Sequence, residues 1–131
     1  MRANYGATEY GRVGIESAVA AADPHELISI LFEQLKKELV AAEYHHKAEN
    51  FENFRAKVTK ANRILVALQG CLDLESGGEI ADNLADLYAF CVRSLTQALI
   101  TKDGKHVTEV ASVLSPVFEG WEEISPSRTA A

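Results

Sequence analysis

The sequence predicts an all-α domain: an antiparallel four-helix bundle with an irregular N-terminal arm and room for a short fifth helix. Three observations carry this. Apolar residues recur at spacings of three and four over four successive stretches, as one buried helical face requires. Glycine, proline and Asp/Asn positions punctuate the chain where those stretches begin and end. Nothing alternates with period two over a useful length, and amphipathic helices joined by short links default to an antiparallel bundle. The expected organisation is a flexible arm over 1–22, the bundle over 23–124 and a disordered tail over 125–131.

In the arm, Tyr5, Tyr10, Val13 and Ile15 are interspersed with Gly6, Gly11 and Gly14 and show no sustained period. The alanine-rich run from Ser17 to Ala22 permits a helical turn. Asp23-Pro24-His25-Glu26 starts the first helix: Asp23 caps free amides, Pro24 suits the first position, and Glu26 completes a capping-box spacing. At about 100° per residue, Leu27, Ile28, Leu31, Phe32, Leu35, Leu39 and Ala42 share one face of a helix reaching Lys47. Ile30 lies off that stripe, and Gln34, Lys36, Lys37 and Glu38 take polar or boundary positions.

A second helix is expected from about Asn50, with Phe51, Phe54, Val58, Ala61, Leu65, Leu68 and Leu72 inward, fading at Leu74-Glu75. Gly77-Gly78 forces a turn. The third helix should run from about Glu79 to Thr101 on a core face of Ile80, Leu84, Leu87, Tyr88, Cys91, Leu95, Ala98 and Leu99. Asp103-Gly104 separates it from a fourth, with Val107, Val110, Ala111, Leu114 and Phe118 on one side. Pro116 lacks an amide donor and crowds the preceding turn. Ser115-Pro116 therefore marks either a kink or the start of a short fifth helix through Trp121 and Ile124. No repeat of 20–50 residues is visible.

Composition narrows the function. A chain of 131 residues is one domain's worth, burying roughly two-thirds of its unfolded surface. Its net charge of −6 offers no electrostatic footprint for nucleic acid or an anionic membrane. No apolar run approaches the ~20 residues of a membrane span, and the N-terminus lacks the apolar stretch of a secretory signal. Cys71 and Cys91 form no C-x-x-C pair and fall on apolar helix faces, so reduced, buried, structural thiols in the cytoplasm are expected.

Catalytic chemistry finds little footing. Glu43-x-x-His46 has the spacing of bundle di-iron ligands, but such sites need a second pair and inward glutamates on the other helices. His45 and His46 instead close the first helix, where cationic side chains suit the dipole. A phosphorelay histidine would be exposed in mid-helix. Gly77-Gly78 is too short and too acid-flanked to cradle a phosphate. No catalytic residue, cofactor or metal is expected.

What remains is apolar surplus. Ile64, Ala67 and Cys71 project outside the main stripe of the second helix, as do Phe90 on the third and Ile30 on the first. Boundary packing explains any one of them. Together with the aromatic-bearing arm they point to a groove that something covers.

Several motifs follow one another in order along the chain. Tyr5 and Tyr10 come first, then Asp23-Pro24-His25-Glu26-Leu27-Ile28 ahead of Leu31-Phe32-Glu33. Lys60-Ala61-Asn62-Arg63-Ile64-Leu65-Val66-Ala67-Leu68 precedes Leu72-Asp73, and Gly77-Gly78-Glu79-Ile80-Ala81 leads into Leu84-x-x-Leu87-Tyr88. Glu109-Val110 and Trp121 follow. In order and spacing these motifs resemble the flagellar secretion chaperone FliS family, in which tyrosine is common at the position of Phe32 and glycine usual at that of Gln34; the segment before Trp121 lacks the basic residue usual there.

The resemblance implies a cytosolic export chaperone, without enzymatic activity, that binds the disordered C-terminal segment of flagellin. Binding would prevent premature polymerisation and deliver the subunit to the export gate. It also implies contact with the export gate protein FlhA and leaves room for an anti-sigma factor; no motif locates either. Tyr5, Tyr10, Ile64, Ala67, Cys71, Tyr88 and Phe90 are the candidate flagellin contacts, with Tyr88 alternatively packed in the core. The arm is either a removable lid on the groove or a direct contact through Tyr10. A generic helical adaptor or oligomerising bundle would account for everything except the motif order, and a small helical enzyme only for Glu43-x-x-His46.

Overall fold

The structure is a computed structural model and describes residues 23–124. Four helices run through this span: α1 Pro24–Lys47, α2 Phe51–Gly70, α3 Gly78–Thr101 and α4 Lys105–Glu123. Each packs against its neighbour in sequence, and α1 against α4 closes the ring. With links this short the helices alternate in direction. One pole therefore carries the start of α1, the α2–α3 link and the end of α4; the other carries the α1–α2 and α3–α4 turns.

Local chemistry explains the boundaries. Asp23 is extended, its Oδ1 accepts the Glu26 N–H at 2.7 Å, and Glu26 Oε1 accepts the Asp23 N–H at 3.3 Å, a complete capping box. Three residues separate α1 from α2. Glu49 takes the left-handed conformation (φ 59°) and Asn50 Oδ1 caps α2 by accepting the Asn53 N–H at 3.2 Å. The second helix stops at Gly70, short of the expected Leu74-Glu75. Asp73 is the cause: its Oδ1 accepts the amides of Glu75 and Ser76 at 3.2 and 3.1 Å, and its carbonyl accepts the Gly77 amide at 2.7 Å. A side chain that satisfies backbone donors in a turn competes with the helix and here wins. These bonds, with the Ser76 hydroxyl foremost, also hold the Asp73 carboxyl below its ordinary range. Gly77 is needed here, since a Cβ would sit 2.4 Å from the Asp73 carbonyl oxygen, and Gly78 turns the chain at φ 64°.

Pro116 neither ends the last helix nor opens a fifth; α4 is one helix through it. Pro116 and Ser112 are both exposed, so the Ser112 carbonyl that loses its amide partner faces solvent.

The core follows the helical stripes. Leu35 and Leu39 from α1, Phe54 and Leu65 from α2, Cys91 and Leu95 from α3, and Val107 and Leu114 from α4 belong to one cluster. Three expectations fail. Ile80 is 74% exposed, because every residue from Asp73 to Ile80 is exposed and the first turn of α3 protrudes beyond the packed layers. Glu38 is buried in place of a boundary position; Gln34 Nε2 donates to it at 2.6 Å and Lys57 Nζ on α2 lies 3.6 Å away. Cys71 is exposed where α2 ends, whereas Cys91 is buried.

Two measurements test this packing. Leu65→Ala should cost about 2–5 kcal/mol in urea denaturation, while Ile80→Asn should stay within about 0.5 kcal/mol of the parent, as an exposed site does. Burial pushes the Cys91 thiol up to about 12, with the Glu109 charge adding, and raises Cys71 less. A thiol reagent at pH 8 should therefore label one cysteine per folded chain, Cys71, and reach Cys91 only on unfolding; two fast-reacting thiols would contradict the burial.

Candidate binding seams

Polar pairs between helices identify which side of each helix faces which neighbour. Lys57 of α2 reaches Glu38 of α1. Asn62 Nδ2 of α2 donates to Thr96 Oγ1 of α3 at 3.3 Å. On the closing side, Lys36 of α1 pairs with Glu122 of α4 at 3.2 Å, and Trp121 Nε1 donates to Ser29 Oγ at 2.8 Å. His25 stacks on Trp121 with ring centroids 4.0 Å apart, and Phe32 meets both Phe118 and Trp121 edge-on. The α1–α4 seam is thus closed by aromatic and polar contacts.

The α1–α2 seam differs. Ile64 and Cys71 follow Lys57 at intervals of seven residues, so they lie on the side of α2 that faces α1. Ala67, between them by three and four residues, stands at the outer edge of the same row. On α1, Leu27 and Ile30 precede Gln34, the partner of Glu38, by seven and four residues. Because the helices run in opposite directions, this start of α1 lies beside the end of α2. The seam therefore brings Leu27, Ile30, Ile64, Ala67 and Cys71 to one edge. Ala67 and Cys71 are exposed, Ile64 is half-buried and packed on the core, and Leu27 and Ile30 are half-buried.

Phe90 lies on another seam. Half-buried on α3, it lines an open cleft of about 480 Å³ with Arg93, Gln97, His106 and Glu109, between α3 and α4. Phe90 and the Ile64–Ala67–Cys71 row thus lie on separate seams. Tyr88 joins neither: it is 2% exposed, and burial pushes its phenol up to about 12. Tyr5 and Tyr10, with the whole arm and the tail, lie outside the described residues.

Sequence reasoning missed further surface. Val66 on α2 is 55% exposed, and Leu74, Ile80 and Ile124 are exposed at the pole of the α2–α3 link. Val66 carried a signal, since it follows Asn62 by four residues and so shares its outward α3-facing side. Leu74 and Ile80 carried none, because a stripe does not reveal where packing stops. The Glu43-x-x-His46 pair does not build a metal centre. His46 contacts the α3–α4 turn, and among the described residues no group of three or more His, Cys, Asp or Glu could hold an ion. No described helix is long and apolar enough to cross a membrane.

The described residues thus form a helical bundle with apolar side chains at the edges of two seams. Residues 6–128 match the family model "Flagellar protein FliS". The flagellar secretion chaperone FliS of Salmonella typhimurium is 38% identical over 122 residues, covering 92% of this chain and 90% of the relative. That of Escherichia coli K12 is 34% identical, covering 97% and 96%, and that of Vibrio cholerae 30%, covering 89% and 86%. With the motif order, the all-helical ring and matches across nearly the whole length, the chain belongs to the FliS family of flagellar secretion chaperones.

Proposed function

We propose that this chaperone works in the cytoplasm, where it binds the disordered C-terminal segment of flagellin, keeps it from polymerising and delivers it to the export gate. The observation that carries the reading is the pair of apolar edges on different seams, Ile64–Ala67–Cys71 between α1 and α2 and Phe90 between α3 and α4. A rigid globular partner would meet one face of the bundle. A disordered amphipathic segment can wrap, laying apolar side chains along one seam and then the next. Covering those side chains withdraws the surface through which flagellin subunits assemble. Contacts with FlhA and an anti-sigma factor belong to the same proposal, with no residues assigned to them.

Ordering the segment on the bundle costs several kcal/mol of the gross interaction, so the complex must bury a large apolar area. Calorimetry with a flagellin C-terminal segment should accordingly give one-to-one binding with a clearly negative heat-capacity change. Absence of binding to every flagellin tail from the same cell would refute the reading.

Mutations separate wrapping from a single docking face. Ala67→Glu should weaken binding at least tenfold while leaving stability within about 0.5 kcal/mol, since Ala67 is exposed. Ile64→Asp is a poorer probe, because Ile64 packs on the core. Phe90→Ala should weaken binding independently, and the two losses should add as free energies because the seams are distinct. An adaptor or oligomer using one face would respond to one substitution only.

A further inference from the structure

The pole carrying the α1–α2 and α3–α4 turns is held by one imidazole. His46, in the last turn of α1, places Nε2 3.0 Å from the Gly104 amide nitrogen and 2.9 Å from the Lys102 carbonyl oxygen. Its ring also sits edge-on to Phe51 and tilted against Phe54, with centroids 5.6 and 5.1 Å apart. The seat is built to the ring. A Cβ on Gly104 would come within 2.7 Å of His46 Nδ1 and 2.9 Å of Cγ and Cε1, so only glycine lets the turn lie against the imidazole. Lys102 takes the left-handed conformation (φ 61°), which helps bring its carbonyl and the Gly104 N–H to the same nitrogen.

A single nitrogen cannot serve both partners at once. A bare Nε2 accepts the Gly104 N–H and cannot donate to the Lys102 carbonyl; a protonated Nε2 donates to that carbonyl and has no lone pair for the amide. Imidazole is the side chain that ordinarily exchanges these forms between pH 5 and 8. We propose that His46 is a proton-operated clasp between the two turns: neutral, it accepts the Gly104 N–H through Nε2 with its proton on Nδ1; protonated, it releases that amide and donates to the Lys102 carbonyl.

Charges of both signs stand near the ring. The carbonyl ends of α1 and α3 favour a cation here. Against it stand Lys47 and His45 on α1, Lys102 in the turn, and Lys105 and His106 at the start of α4. Glu43 on α1 and Asp103 in the turn are the nearby acids, and Asp103 Oδ1 is already engaged by the Lys105 amide at 3.0 Å. From α2 the ring meets Phe51 and Phe54, with Glu52 and Arg55 exposed in the same turn. Protonation therefore exchanges one hydrogen bond for another at the α3–α4 turn.

Nuclear magnetic resonance on the full chain reads this directly. At pH 8 the ring nitrogens of His46 should show the Nδ1–H tautomer, and from pH 8 to 5 the Gly104 amide proton should shift with the same midpoint as the His46 ring. In His46→Gln that Gly104 titration should be lost, and in His106→Gln it should persist, which removes the neighbouring histidine as the cause. An Nε2–H tautomer at pH 8, a His46 ring that titrates while Gly104 stays still, or a Gly104 titration that follows His106 would each overturn the clasp. The first two readouts need no variant, so they stand even if His46→Gln fails to fold.

Discussion

Leu35, Leu65, Leu95 and Leu114, one from each helix, are wholly withdrawn from solvent within a single cluster, and the rest of the molecule depends on that shared burial. Most of the stability of a helix in a protein comes from packing its amphipathic face against neighbours. Each buried leucine adds roughly 1.5–3 kcal/mol only when three other helices supply the walls. Every seam, turn and exposed edge is therefore a consequence of how four apolar stripes are brought around one axis. Phe54 and Phe118 thicken that core toward opposite poles, and the aromatic contacts of Phe32, Phe118 and Trp121 extend it to the chain-end pole.

The seams are distinguished by what lies beside the core. Between α1 and α4, Lys36–Glu122, Trp121–Ser29 and the His25–Trp121 stack leave little apolar surface uncovered. Between α1 and α2, the buried Glu38 carboxylate answers Lys57. Without Lys57 the buried Glu38 carboxylate would keep only Gln34 as a partner, so the contact ties one face of α1 to one face of α2. That same alignment sets the row Ile64–Ala67–Cys71 beside the start of α1. Polar contacts along the seams thus mark which helix sides meet at the rim.

The two poles are built differently. At one, the Asp73 turn and the protruding start of α3 leave Leu74 and Ile80 exposed. At the other, short turns are drawn together by His46 against Gly104.

The sequence by itself determined the helices, their caps and most of the core, because these depend on neighbours within four residues. Asp23 with Glu26, Asn50 ahead of Phe51, and the stripes through Leu35, Leu65 and Leu95 carry their own signal. The ordered motifs likewise made the family legible, and the off-stripe positions Ile64, Ala67 and Phe90 were visible as surplus. Only the tertiary structure decided which surplus shares a seam. It set Phe90 apart from Ile64, enclosed Tyr88, exposed Ile80 and Cys71, buried Glu38 against Lys57, and gave His46 a partner nearly sixty residues away. Periodicity specifies the direction in which a side chain leaves its helix; whether that direction ends in protein or in solvent depends on where the other helices stop.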